Sequence, residues 1–138
     1  MKLIRLTGRR VVGGVAEGLA LVTSQPISFF GGFEPESGVV IERGHELEGE
    51  TTKGKVLVFP RGKGSTVGSY VIYAMKKRGT APVAMINVET EPIIAIGCIL
   101  SEIPLIDNLN EDPIKLIKTG DWIKVSADRS VIDVKRKA

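Results

Sequence analysis

The sequence predicts an α/β domain in which a mixed sheet is built around a βαβ unit. Two continuous apolar runs, KVLVFP at 55–60 and PVAMINV at 82–88, are typical of buried parallel strands. The segment between them, STVGSYVIYAMKKRG at 65–79, repeats apolar residues at helical spacing. With 138 residues the chain is long enough for one compact core, so we expect a single domain over residues 1–138.

The first third of the chain is expected to form short strands separated by turns. The runs RRVV at 9–12, GLALVTS at 18–24 and SGVVIE at 37–42 are apolar and are bounded by glycine, proline and polar residues. Between the last two lies an apolar loop, QPISFFGGFEPESG at 25–38. Its phenylalanines would be costly to expose, so either the loop folds over the domain's own core or another chain covers it.

The central helix has start and end signals. Ser65 is expected to cap its N-terminus, and Gly79 suits the position just past its C-terminus. Basic residues in the last turn suit the negative end of the helix dipole. The apolar residues at helical spacing are Val67, Val71, Ala74 and Met75, and the basic ones are Lys76, Lys77 and Arg78.

The second half of the chain alternates helix and strand and ends in a hairpin. EPIIAIGCILSEIP at 91–104 predicts a helix of about three turns that starts near Pro92 and ends before Pro104. PLID at 104–107 predicts a short strand, and the segment 108–120 predicts a weak helical turn. The segment 121–136 alternates apolar and polar residues on both sides of ADRS, which predicts two paired strands.

Composition argues against several classes of protein. No apolar run approaches the roughly 18 residues that span a bilayer, and the first residues lack a signal-peptide pattern. We therefore expect a cytoplasmic protein without a membrane partner. The net charge is only +3 and aromatic residues are 5% of the chain, without a basic stripe, so no nucleic-acid partner is expected.

The chain also lacks the residues of a metal site. Its single cysteine, Cys98, lies in the apolar run IIAIGCIL and is expected to be a buried thiol. Its single histidine, His45, has no second histidine or cysteine nearby and is expected at the surface or at a hinge. We therefore predict no metal and no cofactor bound by this chain itself.

The loop RGKGSTVGSY at 61–70 is the segment most suggestive of chemistry. It looks like a nucleotide-binding P-loop, but that motif needs a lysine and a hydroxyl residue side by side, and Gly64 separates Lys63 from Ser65. A merely flexible turn would not need Gly62 and Gly64 around the lysine. The pattern predicts a glycine-flanked serine at a helix start, where free N–H groups from about Ser65 to Gly68 favour negative charge.

Ser65 has no histidine or metal ligand near it in the sequence, so an ordinary Ser-His-Asp nucleophile has no support. A helix end contributes roughly 1–2 kcal/mol, which shifts a pKa by only about one unit. An alkoxide at Ser65 therefore needs positive charge from elsewhere. This incompleteness indicates a partner chain.

Four separated runs give the chain a resemblance to a known family. They are QPISFFGGFEPESG, GKVLVFPRGKGSTVGSY, APVAMINVETEPIIAIGCILSEIPLID and TGDWIKVSA, which lie between about Gly18 and Ala127. Together they resemble the small subunits of archaeal phosphomevalonate dehydratases, in the aconitase X group. The resemblance implies a swivelling β/β/α domain, like the mobile domain of aconitases but encoded as its own chain.

The resemblance also implies a reaction. Such a small subunit works with a large subunit as a hydro-lyase that dehydrates (R)-5-phosphomevalonate to trans-anhydromevalonate 5-phosphate in a modified mevalonate pathway. The large subunit is expected to carry a [4Fe–4S] cluster whose iron acts as a Lewis acid on the departing hydroxyl. Ser65 is implied as the base that removes the proton alpha to the carboxylate.

Substrate-binding groups follow from the same resemblance. Backbone N–H groups near Gly64, Ser65 and Thr66 are expected to help hold the small phosphorylated hydroxy acid. Aconitases place an arginine shortly after the serine, and here none follows. Recognition of the substrate's carboxylate or phosphate must therefore come from the partner or from Arg61 and Lys63.

A second set of residues is expected at the surface that closes on the large subunit. It comprises Ser28, Gly31 and Gly32 in the apolar loop and Asn87 and Glu91 after the second parallel strand, where ligands often approach such sheets. Self-packing of the loop's phenylalanines is the alternative for the first group. Glu91 is alternatively an acid at the start of the second helix.

Two other interpretations stay open. The chain could serve an aconitase X type dehydratase for another hydroxy acid, such as a hydroxyproline. It could also be a non-catalytic binding module with no obligate partner.

Overall fold

The computed structural model describes residues 1–136. The strands in this part of the chain are β1 Lys2–Thr7, β2 Arg9–Val12, β3 Val15–Val22, β4 Phe33–Glu34, β5 Val39–Val40, β6 Val56–Phe59, β7 Ala84–Asn87, β8 Leu105–Asp107, β9 Trp122–Ser126 and β10 Val131–Arg136. The helices are α1 Gly68–Arg78, α2 Pro92–Ser101 and α3 Pro113–Leu116, with a 3-10 turn at Ala127–Arg129.

Eight strands form one mixed sheet in the order β1-β10-β9-β3-β6-β7-β8-β2. The four strands β3, β6, β7 and β8 are parallel to one another. Antiparallel strands flank them, with β2 beside β8 and with β9, β10 and β1 continuing from β3. The short strands β4 and β5 pair separately. The predicted unit β6-α1-β7 is therefore the centre of the fold.

The side chains of β6 alternate between two hydrophobic cores, as the period of two in a strand requires. Leu57 and Phe59 pack in the core that includes residues of α1 and α2. Val56 and Val58 pack on the opposite side, with residues of β1, β9 and β10. The parallel strands thus lie between a helical layer and an antiparallel layer, which is the β/β/α arrangement that the family resemblance implies.

Most elements predicted from the sequence are confirmed, and three need correction. The run SGVVIE contributes only Val39–Val40 to a strand. Strand β1 was not predicted, because only Leu6 of its six residues is fully buried and it lacks clear alternation. Helix α1 begins at Gly68, three residues later than Ser65. Each error lies where few side chains enter a core, so the apolar pattern is weak.

The apolar loop 25–38 folds mainly over the domain's own core. Phe29 and Phe33 are buried and stacked, with ring centroids 4.5 Å apart. Phe30 stays exposed over 54% of its surface. Self-packing therefore accounts for two of the three phenylalanines, and the third remains available to a partner.

The two singular residues have different outcomes. Cys98 is buried, as predicted, and burial raises the pKa of its thiol well above the ordinary range. His45 was expected at the surface or a hinge, and the surface expectation is wrong. Its ring is buried, with Nδ1 accepting the N–H of Leu47 at 3.1 Å and Nε2 lying 3.2 Å from the carbonyl oxygen of Pro26.

Candidate active site

The loop before α1 is hydrogen-bonded to the beginning of the apolar loop 25–38. The N–H of Ile27 donates to the carbonyl of Arg61 at 3.2 Å, and the N–H of Lys63 donates to the carbonyl of Ile27 at 3.0 Å. These two bonds form an isolated parallel bridge between Ile27 and Gly62. Residues far apart in sequence are therefore held side by side just before Ser65.

Gly64 brings Ser28 against this loop. Its φ is +89°, a left-handed conformation that side chains disfavour. A Cβ at this position would also lie 2.5 Å from the Oγ of Ser28, whose hydroxyl donates to the carbonyl of Phe30 at 2.9 Å. The position therefore requires glycine, and Ser28 lies beside the Ser65 loop as the sequence analysis expected.

The neighbouring glycines of the apolar loop differ in exposure. Gly31 is exposed, whereas Gly32 is buried, with its Cα packed directly against the carbonyl of Ser28. Gly31 can face a partner, while Gly32 holds the turn.

Ser65 is exposed, and it does not cap α1. The N-cap of α1 is Val67, which supplies no side-chain hydrogen bond. Ser65 instead opens a tight turn before the helix, in which its Oγ accepts the N–H of Val67 at 3.2 Å and its carbonyl accepts the N–H of Gly68 at 2.9 Å. Ser65 therefore accepts a backbone N–H group, as a capping serine does, but it does so in the turn before α1.

The free N–H groups differ from the range, about Ser65 to Gly68, that was expected from the helix start, and they are the ones that the family resemblance implies. Those of Val67 and Gly68 are bonded to Ser65. Within residues 1–136, the N–H groups of Gly64, Ser65 and Thr66 have no hydrogen-bond acceptor. Three successive unpaired N–H groups next to an exposed hydroxyl can bind an anion.

The cationic residues of the loop have unequal surroundings. The Nζ of Lys63 lies 3.1 Å from the carboxylate of Glu42, and both side chains are partly exposed. No carboxylate pairs with Arg61 in the described part of the chain. Glu42 was missed by the sequence analysis, since it stands 21 residues before Lys63 and no motif links them.

Comparison with known proteins is consistent with this geometry. The family model described as "Aconitase X swivel domain" matches residues 5–134. This chain belongs to the aconitase X swivel-domain family. The match covers nearly all of the described structure, including the loop with Ser65.

Proteins similar to this aconitase X swivel chain have a consistent name. "Phosphomevalonate dehydratase small subunit" of Methanosarcina acetivorans is 53% identical over 95% of this chain and 91% of its own length. The protein of the same name from Thermococcus kodakarensis is 47% identical over 95% of this chain and 96% of its own length. A crystal structure of Thermococcus kodakaraensis aconitase X in its holo-form has a TM-score of 0.91 at 47% identity, covering 96% of this chain and 99% of that chain.

Asn87 lies inside this aconitase X swivel chain rather than in its site. It is fully buried, and its Nδ2 donates to the carbonyl of Phe59 at 3.1 Å. Its Oδ1 accepts the hydroxyl of Thr90 at 3.3 Å. The side chain therefore ties the ends of β6 and β7 together.

Glu91 caps the second helix, the alternative that the sequence analysis left open. Its two carboxylate oxygens accept the N–H groups of Ile93 at 2.8 Å and Ile94 at 2.9 Å. A Cβ at Gly62 would collide with this carboxylate. Gly62 therefore lets the Ser65 loop pass close over the start of α2.

An ion pair with a buried carboxylate, which the sequence analysis missed, lies at the same corner. Asp107 is fully buried and accepts bidentate hydrogen bonds from Arg9 at 2.8 and 2.9 Å. It also accepts the N–H of Thr90 at 2.8 Å. Burial alone would raise the pKa of Asp107, but the bonds from Arg9 and Thr90 outweigh it and lower the pKa.

The residues of this chain do not fit an iron–sulfur cluster. Such a cluster needs several exposed thiolates, and the one cysteine, Cys98, is buried with its Sγ 3.6 Å from the sulfur of Met85. No group of three or more His, Cys, Asp or Glu side chains suited to a metal occurs among residues 1–136. None of the helices in this range is long and apolar enough to cross a membrane.

Proposed function

We propose that this chain is the small subunit of a phosphomevalonate dehydratase, which dehydrates (R)-5-phosphomevalonate to trans-anhydromevalonate 5-phosphate. The observation that carries the proposal is the exposed Ser65 turn with three unpaired N–H groups, in a chain 53% identical to a protein of that name. The whole chain acts as one swivelling domain that presents this turn to a larger subunit.

Ser65 is the base in this proposal. Its Oγ, as an alkoxide, takes the proton from the carbon alpha to the substrate carboxylate, and the C–H electron pair forms the double bond and expels the hydroxyl of the neighbouring carbon as hydroxide. Transfer of the abstracted proton from Ser65 to this hydroxide would form water and restore the alkoxide. The N–H of Val67 already donates to this Oγ at 3.2 Å. A hydrogen bond to the charged form favours that form, so the turn favours the alkoxide.

The substrate's anionic groups are bound by the rest of the loop. The unpaired N–H groups of Gly64, Ser65 and Thr66 suit a carboxylate or phosphate oxygen. Arg61, which no described carboxylate neutralises, supplies a free positive charge. Lys63 adds a second charge, partly balanced by Glu42.

The site is completed by a second chain. The relatives are named small subunits, which implies a larger partner. Ser28 lies against Gly64 and Glu91 lies against Gly62, so both border the Ser65 loop that the partner would cover, while Gly31 is exposed in the apolar loop. The [4Fe–4S] cluster expected for this enzyme belongs to the larger subunit, because this chain has no residues to hold it.

The test is the replacement Ser65→Ala in the complex co-expressed with its larger subunit. Loss of a general base lowers the rate typically 10²–10⁴-fold, so we expect kcat to fall by about that factor. The matched control is Ser37→Ala, an exposed serine in a turn of the apolar loop, which should leave kcat unchanged. Circular dichroism and co-purification establish that both variants fold and assemble.

The assay uses (R)-5-phosphomevalonate and a hydroxyproline in parallel, with product identified by mass spectrometry. Turnover of phosphomevalonate alone supports the proposal. Turnover of hydroxyproline alone would show that the proposed substrate is wrong. Full activity of the Ser65→Ala complex would show that Ser65 is not the base. A purified chain that forms no complex would favour the binding-module interpretation.

A further inference from the structure

The outer face of α2 carries no charge. All ten residues of this helix, PIIAIGCILS, are uncharged, although only Ile94, Gly97, Cys98 and Ser101 are buried. The outward residues Ile96, Ile99 and Leu100 are about half exposed. A helix that is apolar on all sides is normally buried in its surroundings. The outer face of α2 therefore needs a cover that the isolated chain does not provide.

This surface continues onto α1 and up to the Ser65 turn. The two helices pack directly, and the hydroxyl of Ser69 in α1 donates to the carbonyl of Ile93 in α2 at 2.7 Å. Exposed apolar side chains also occur in α1 and just before it, at Tyr70 and Val67. We call the combined surface the apolar docking face, and it consists of Phe30, Val67, Tyr70, Ile96, Ile99 and Leu100.

The apolar docking face touches the candidate active site. A Cβ placed on Gly68 would lie 3.2 Å from the Cγ2 of Ile93 and 3.5 Å from the backbone nitrogen of Phe30. The start of α1, the start of α2 and the apolar loop therefore meet at Gly68, three residues beyond Ser65. Any chain that covers a substrate at Ser65 also reaches this face.

The opposite surface of the molecule has a different character. Across the antiparallel layer, Arg5, Asp133, Lys124 and Glu17 are paired in register on four neighbouring strands. Their charges alternate in sign, and Arg5 Nε lies 2.7 Å from Asp133 Oδ1. Opposite charges in register stabilise an exposed sheet surface, so this row suits water. The next row along the same strands has the exposed apolar side chains of Leu3, Trp122 and Leu19, with Lys135 in register between Leu3 and Trp122. The apolar docking face has no such ladder.

We propose that the apolar docking face is where the larger subunit binds, which rests on the proposed function of the chain. The occupant is an uncharged, apolar surface of that subunit, continuous with its active-site wall. A second copy of this chain would not serve, because it would bring only another Ser65 turn and none of the groups that the site lacks. Aromatic and aliphatic anchors such as Tyr70 and Ile96 are typical of the centre of such interfaces.

The experiment places the same charge on each surface. Ile96→Glu changes the apolar docking face, and Leu3→Glu, at an exposed position of β1, is the matched control. Separately purified small and larger subunits are titrated by calorimetry. We expect Ile96→Glu to raise the dissociation constant by at least ~100-fold, as for loss of an interface hot spot, and Leu3→Glu to change it less than ~3-fold.

A second variant guards against misfolding of the first. Ile99→Lys alters the most exposed aliphatic residue of α2 and should also raise the dissociation constant by at least ~100-fold while its circular dichroism stays that of the wild type. Equal binding by all three variants, or a loss of binding confined to Leu3→Glu, would overturn the docking face. So would a wild-type homodimer that Ile96→Glu dissociates without changing affinity for the larger subunit.

The outcome is separable from that of the proposed function. If the Ile96→Glu and Ile99→Lys variants still form an active complex, the proposal for the apolar docking face is wrong and the dehydratase assignment is unaffected. If complex formation depends on Ile96 but the complex does not turn over phosphomevalonate, the dehydratase assignment is wrong and the proposal for the apolar docking face is supported. Ser65 is not part of the apolar docking face, so the Ser65→Ala variant should bind the larger subunit with wild-type affinity.

Discussion

Helices α1 and α2 begin next to each other, yet their first turns are satisfied in opposite ways. At α2 the Glu91 carboxylate accepts two N–H groups of the first turn. At α1 the N-cap Val67 supplies no side-chain bond, and the preceding turn leaves unpaired N–H groups at 64–66 in the described chain. A start that is closed by a carboxylate stabilises the fold. We call the turn at 64–66 the open start of α1, because its N–H groups are unpaired next to a hydroxyl and are available to an anionic substrate, although the N–H groups of the helix itself are bonded.

The largest expected effect comes from distorting the open start with Gly64→Ala. The substitution forces a side chain into a left-handed conformation and against the Oγ of Ser28. Moving catalytic groups by about 1 Å can cost about 100-fold in rate, so we expect kcat/KM of the complex to fall by about that factor. Steady-state kinetics of the co-expressed complex measures it.

The control for Gly64→Ala is Gly49→Ala. Gly49 has nearly the same backbone conformation, with a φ of +87°, but nothing lies within 4 Å of its would-be Cβ. Both variants should lose about 1–2 kcal/mol of unfolding free energy from left-handed strain, and Gly64→Ala should lose more because its Cβ also meets Ser28. Only Gly64→Ala should lose activity, and equal activity in the two would contradict a positioned Ser65 loop.

The contrast between the two helix starts was only partly predictable from the sequence. The apolar runs that form β6 and β7 are local patterns, and so is the helix between them, which explains why the centre of the fold was predicted correctly. Ser65 was singled out for the same reason. Its exact role in the backbone was not predictable, because a serine side chain can hydrogen-bond the backbone in a turn as well as at a helix cap.

Long-range pairs were invisible to a local analysis. Arg9 and Asp107 are 98 residues apart, and Lys63 and Glu42 are 21 apart. Nothing in the sequence next to any of these four residues indicates a partner, since charged residues are mostly exposed to solvent. Such pairs appear only when the strand order is known, and here they surround the very corner that carries the candidate site.

A middle-sized effect is expected from Asp107→Asn, which loosens the closed start of α2. The side chain is fully buried while Arg9 is 57% exposed, so the loss should be smaller than for a pair buried on both sides. We expect about 2 kcal/mol of unfolding free energy to be lost at pH 7. Urea denaturation followed by circular dichroism measures it.

The pH dependence gives this prediction a sign. The folded-state pKa of Asp107 is lowered, so its ionised form stabilises the fold at every pH above about 4, where the unfolded carboxyl is also ionised. That stabilisation is lost as the pH falls from about 4 through the lower folded-state pKa. The difference in unfolding free energy between wild type and Asp107→Asn should therefore shrink below pH 4, and a constant difference would contradict the ion pair as its source.

The smallest effect is expected from Glu91→Ala, which removes the carboxylate that caps the start of α2. Removing an N-cap acceptor costs typically about 1 kcal/mol of stability, and the neighbouring Glu89→Ala, at an exposed position, should cost less than about 0.5 kcal/mol. Glu91→Ser keeps a capping oxygen without the charge. If Glu91 acts only as a cap, serine restores stability and all three variants keep wild-type kcat/KM in the complex. If the carboxylate also closes the site, serine restores stability but not activity, and the two helix starts then serve the same reaction from opposite sides of one loop.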